Sequence, residues 1–131
     1  SRDRTRRILQ AAQELAERVG HPHALGMAAL ASGVAVYCLG RWREAQEACD
    51  RASEIFRGRC TGIAWELTTA RLISLPALIW MGDHAEAFRR LHLYRQEAQE
   101  RGERYSLAST ARTAPPPGTG CPGTGRPWSV R

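Results

Sequence analysis

Gly40-Arg41-Trp42-Arg43-Glu44-Ala45 returns forty-two residues later as Gly82-Asp83-His84-Ala85-Glu86-Ala87. Each copy runs glycine, any residue, an aromatic ring, any residue, glutamate, alanine. An apolar stretch precedes each copy and an amphipathic one follows it. A fixed period in this range marks a helical repeat, because one such unit cannot bury its apolar face alone and stacks on its neighbours. The glycines that close the units, Gly20, Gly62 and Gly102, are separated by 42 and 40 residues.

Outward from this pair, the helices follow from periodicity. Ile8, Ala12, Leu15 and Val19 fall on one apolar stripe of a helix that Gly20 closes. The pattern is already helical at the start, which predicts a longer array upstream. Helices are predicted over 23–39, 41–57, 63–81 and 84–101. The second and fourth are apolar nearly all round, which predicts burial on both sides. Gly26 and Gly33 cost the second helix about 1 kcal/mol each against alanine, and close approach of a neighbouring helix is the expected return. Pro76 removes one backbone bond inside the fourth helix, so a kink or a break into two short helices is expected there. Trp42 and His84 are expected to wedge the two helices of their units together, and Ala45 and Ala87 to be small where those helices cross.

The domain reading is a partial unit over 1–20, units over 21–61 and 62–102, and the start of another over 103–110. Pro115-Pro116-Pro117 then stops any helix. The Gly/Pro/Thr-rich basic stretch 111–131 has no periodicity and is expected to be disordered. The expected fold is therefore all-α, an antiparallel array of about five helices in hairpins with a disordered C-terminal tail.

Composition narrows the chemistry. All 19 basic residues are arginine, which excludes a Schiff-base, phosphate-loop or ATP-pairing lysine. The net charge of +6 divides evenly: 16 arginines against 13 acids before residue 105, then three arginines and no acid. The pairs Glu14/Arg18, Arg43/Glu47, Glu86/Arg90 and Glu97/Arg101 have helical spacing, worth about 0.2–0.5 kcal/mol each as solvated pairs. No basic run interleaved with aromatics points to nucleic acid. The four cysteines, Cys38, Cys49, Cys60 and Cys121, have no zinc spacing and are expected as reduced thiols in a cytoplasmic protein. Neither a membrane span, a metal site nor a cofactor is expected. Gly118-Thr119-Gly120-Cys121-Pro122-Gly123 matches a dinucleotide glycine pattern in form only, since no strand precedes it and no helix follows. His21, His23, His84 and His92 lack converging partners of ligand spacing. No acid, base and nucleophile set converges, so the chain itself is expected to be non-catalytic.

The Gly-x-aromatic-x-x-Ala turn, with alanine or aromatic positions four and seven residues on, resembles the tetratricopeptide repeat. The period is longer than the usual one of about 34 residues. Cys60-Thr61-Gly62-Ile63-Ala64-Trp65-Glu66-Leu67-Thr68-Thr69-Ala70-Arg71, with the Gly40–Ala45 motif ahead of it, is similar to the C-terminal repeat regions of bacterial serine/threonine protein kinases of the myxobacterial type. That likeness spans about residues 1–108. It implies a scaffold or sensor segment of a signalling protein, with a protein or peptide partner or the rest of the parent kinase as ligand. No H-R-D or D-F-G motif lies in the chain. A repeat segment of an ATPase-type bacterial transcriptional regulator is the alternative. Carried over by position, the tetratricopeptide concave face would present Met27, Leu30, Val34, Tyr37, Thr69, Leu72 and Ile79, with Arg71 beside it to take a carboxylate.

Overall fold

A computed structural model describes residues 2–101. It contains α1 (Arg2–Val19), α2 (Pro22–Cys38), α3 (Trp42–Arg59), α4 (Ala64–Met81) and α5 (His84–Arg101), and no strand among the described residues. The fold is an all-α helical array. The expected unit start at 103–110 and the tail 111–131 lie outside the described residues.

The helix boundaries come from local chemistry. Pro22 opens α2 at a position where a missing N–H costs nothing, and the ring Nδ1 of the preceding His21 accepts from the His23 N–H at 3.3 Å. The motif that defines the period builds the same turn twice. The Gly40 N–H donates to the Tyr37 carbonyl at 2.9 Å and the Arg41 N–H to Val36 at 3.0 Å. One period later the Gly82 N–H donates to Ile79 and the Asp83 N–H to Leu78, both at 3.0 Å. This pair of bonds requires a left-handed residue, and Gly40 and Gly82 supply φ values of 76° and 83°. The next helix starts differ. Asp83 Oδ1 accepts from the Glu86 N–H at 3.3 Å and so caps α5, whereas Arg41 gives α3 no side-chain cap.

Consecutive helices are antiparallel neighbours, and α2 also packs beside α4, the first helix of the next unit. Between them α3 supplies Ala45, Cys49, Ala52 and Phe56, all without solvent exposure. Most of these side chains are small, so α2 and α3 approach closely. A Cβ at Gly26 would stand 2.5 Å from the Phe56 ring, and one at Gly33 would stand 2.5 Å from Cys49 Sγ. The two glycines thus give the close approach expected of them. Burial of Phe56 contributes about 1.5–3 kcal/mol. Burial also raises the Cys49 thiol to about 12, with Asp50 adding to the shift.

Two expectations are revised. α4 runs unbroken from Ala64 to Met81 through Pro76, so it does not divide into two short helices. In α1, Ile8, Leu15 and Val19 are exposed, and Ala16 is the one buried residue of the helix. Leu9, Gln13 and Ala16, one position over, lie on the less exposed side. Periodicity gave the apolar stripe, but only α2 lies against α1, and it takes the adjacent strip.

Candidate functional site

The site predicted from the sequence spans the first helices, α2 and α4. Leu30 is 3% exposed and belongs to the core cluster with Ala29, Cys49, Ala52, Phe56 and Ala70. It is therefore core rather than a lining residue, packed in the cluster that α3 and α4 complete. Met27 and Val34 are partly buried and pack against the same cluster. Tyr37 is partly buried with its ring edge-on to Trp42, centroids 5.1 Å apart. On α4, Thr69 is half-buried and its hydroxyl donates to the Trp65 carbonyl at 2.8 Å. Leu72 is half-buried and Ile79 is exposed.

Arg71 is buried. Its side chain is only 6% exposed and is paired with Glu97 of α5, and its guanidinium lies 4.1 Å from the centre of the Tyr94 ring. Burial pulls the guanidinium below its ordinary pKa, and the hydrogen bond it donates to Glu97 opposes that shift. Glu97 also lies 3.7 Å from Arg57 of α3. The carboxylate that Arg71 was expected to take from a partner comes from its own chain. Its Nε has no hydrogen-bond partner among the described residues.

Further charged contacts tie the units together. Arg90 of α5 reaches Asp50 of α3 at 2.6 Å and Glu86 of its own helix at 2.6 Å, so the expected Glu86/Arg90 pair forms. Hydrogen bonds from Arg89 and then Arg90 hold the Glu86 carboxyl down at about 2. His23 of α2 meets Glu66 of α4 at 2.8 Å, and that hydrogen bond lowers the Glu66 carboxyl. Glu97 pairs across the array with Arg71, and the expected Glu97/Arg101 pair lies outside the described side chains.

The open part of α4 is a stripe that the carried-over positions only sampled. Trp65, Thr69, Leu72, Pro76 and Ile79 follow one another at intervals of four, three, four and three, and each is exposed or half-buried. None of them is charged. On α2 the corresponding rim is Met27, Ala31 and Val34, in a helix with no Asp, Glu or Arg. The spacing was legible in the sequence, but an all-round apolar helix does not reveal which side stays open. Trp80 was also missed as a surface residue. It is 65% exposed, and its ring stacks on Trp42 with centroids 5.9 Å apart and planes at 21°. Trp42 therefore contacts α2 and α4 both, whereas its repeat equivalent His84 is exposed.

Among the described residues no group of three His, Cys, Asp or Glu side chains is placed to hold a metal ion, and no helix is long and apolar enough to cross a membrane. No protein-family model, curated protein or solved structure matches the chain.

Proposed function

We propose that the chain is a non-catalytic scaffold that docks an apolar protein or peptide segment along α4 and the α2 rim. The reading is supported by the uncharged stripe of Trp65, Thr69, Leu72, Pro76 and Ile79, which runs the length of α4. The 42-residue period shows how such a stripe is covered within the fold. Leu72 stands one period after Leu30, and Leu30 is buried in the cluster formed with Cys49, Ala52 and Phe56 of α3 and Ala70 of α4. A partner that covers Leu72 repeats that packing. An apolar helix suits the stripe, because its own residues at three and four spacing meet the same interval. The resemblance to kinase C-terminal repeats adds a context: a segment of a bacterial serine/threonine protein kinase that recruits a partner or holds the rest of the parent chain. The DNA upstream of the coding segment tests that context, through the presence of a kinase domain with its H-R-D and D-F-G motifs.

Docking itself is tested with a displayed peptide library selected on the immobilised chain. The selected peptides are then titrated against Leu72→Glu and Ile79→Glu, with circular dichroism to check the fold. Both positions reach solvent, so the variants keep their helices and lose at least tenfold in affinity, as expected when a charge is left unpaired in an apolar contact (about 1.4 kcal/mol per tenfold). Equal affinity in folded variants rules the stripe out.

A further inference from the structure

At the end of the array where α2 and α4 finish and α3 begins, three rings form a ledge. The Trp42 ring is edge-on to Tyr37 on one side and stacked on Trp80 on the other. Trp80 leaves about two thirds of its surface in water, at 65% exposure. Among the described residues, the Tyr37 hydroxyl and the two indole N–H groups make no hydrogen bond with another side chain or the backbone. A rigid aromatic relief with free donors is the surface that recognises polyproline II, whose backbone carbonyls have no internal partner and whose rings pack flat on aromatic faces.

Such a segment exists in this chain at Pro115-Pro116-Pro117. Proline fixes its own φ and restricts the residue before it, so a run of three loses little entropy when docked as polyproline II. Reach allows the contact. α5 starts beside the end of α4 and runs back for 18 residues, a distance of about 27 Å at the helical rise. The thirteen residues 102–114 lie between Arg101 and Pro115. They span at most about 43 Å when extended, more than the return to the ledge requires.

We propose that the Tyr37, Trp42 and Trp80 ledge is a polyproline-docking surface and that Pro115-Pro116-Pro117 of the same chain is its occupant. The ledge goes beyond the α4 stripe and shares with the sequence-predicted face only Tyr37, so either surface stands if the other fails.

The test uses the full chain labelled with nitrogen-15 and reads the indole N–H signals of its tryptophans. The variant carries Pro115→Ala, Pro116→Ala and Pro117→Ala, all outside the described residues. The Trp80 and Trp42 signals shift between wild type and variant, and Trp65 does not move, since it lies fifteen residues back along α4 (about 22 Å). A synthetic peptide spanning residues 111–120, added to the triple variant, brings the Trp80 signal back toward its wild-type position. The same peptide leaves a folded Trp80→Ala chain unchanged. Unmoved Trp80 and Trp42 signals in the triple variant overturn the proposal. So does a wild-type Trp80 shift that vanishes on dilution, which assigns the occupant to a second copy. A peptide that moves Trp65 as much as Trp80 also overturns it.

Discussion

At the scale of single residues, the molecule depends on atoms that are absent as much as on those present. Gly33 has no side chain because Cys49 Sγ would stand 2.5 Å from its Cβ and the Ala45 carbonyl oxygen 3.3 Å. The backbone oxygen cannot move without displacing α3. Gly33→Ala therefore gains about 1 kcal/mol in helix propensity and loses about 1–3 kcal/mol to overpacking. A net fall in urea midpoint is expected. Cys49→Ala removes the sulfur, so the double variant loses less than the sum of the two singles, which a double-mutant cycle measures. Strict additivity contradicts the contact. Arg71 poses the opposite problem, a charge that needs its partner. Glu97→Gln leaves a guanidinium with 6% of its side chain exposed without its countercharge, beside Arg57 and the Tyr94 ring. The expected loss is about 3 kcal/mol, at the low end for a broken buried pair because Glu97 is partly solvated. Arg71→Met removes the charge and keeps the volume, so its midpoint stays nearer wild type. The reverse order in urea unfolding would show that the pair is not the stabilising element at that position.

At the scale of elements, cover decides stability. α3 is packed by α2 on one side and α4 on the other, while α1 has only α2 against it and leaves Ile8, Leu15 and Val19 exposed. Amide hydrogen exchange should therefore release α1 first and α3 last, with local opening of α1 well below the global free energy. Equal protection of α1 and α3 would mean that something else covers the α1 stripe. The same contrast shows what the sequence made legible. Helix bounds were readable to within two residues because the signals are local: glycines at the left-handed turns, proline at a helix start, and a 3.6-residue period. The partners of each face were not, because amphipathicity marks which side is apolar and says nothing about what lies against it. The same reason moved Leu30 into the core and left Leu72, its counterpart one period on, half-open. Arg71 with Glu97, His23 with Glu66 and Asp50 with Arg90 lie 26, 43 and 40 residues apart. No local rule links such pairs.

At the scale of the whole molecule, the charged contacts fasten one unit to the next, and they do so through carboxylates. Glu66 joins α4 to α2 through His23, and Glu86 orients Arg90 toward Asp50 and so helps join α5 to α3. The Glu86 carboxyl falls from an ordinary 4.5 to about 2, through hydrogen bonds from Arg89 first and Arg90 next. Glu66 is lowered in the same direction, chiefly by its hydrogen bond with His23. A carboxyl whose pKa is depressed on folding holds fewer protons in the native state than in the unfolded one. Its contribution is therefore complete above the unfolded value and is lost as pH falls through the folded one. For Glu86 that window runs from 4.5 down to about 2. Both groups touch solvent, so the loss is gradual and salt reduces it. Urea midpoints measured from pH 7 to pH 2 should stay level to about 5 and then decline. Glu86→Gln starts lower at neutral pH, because one acceptor for Arg90 is neutral, and its acid decline is shallower than wild type. Both features are needed, since a lower start with an unchanged acid slope would place the titrating carboxylates elsewhere. The unit junctions would then be held by the apolar contacts of α3 alone.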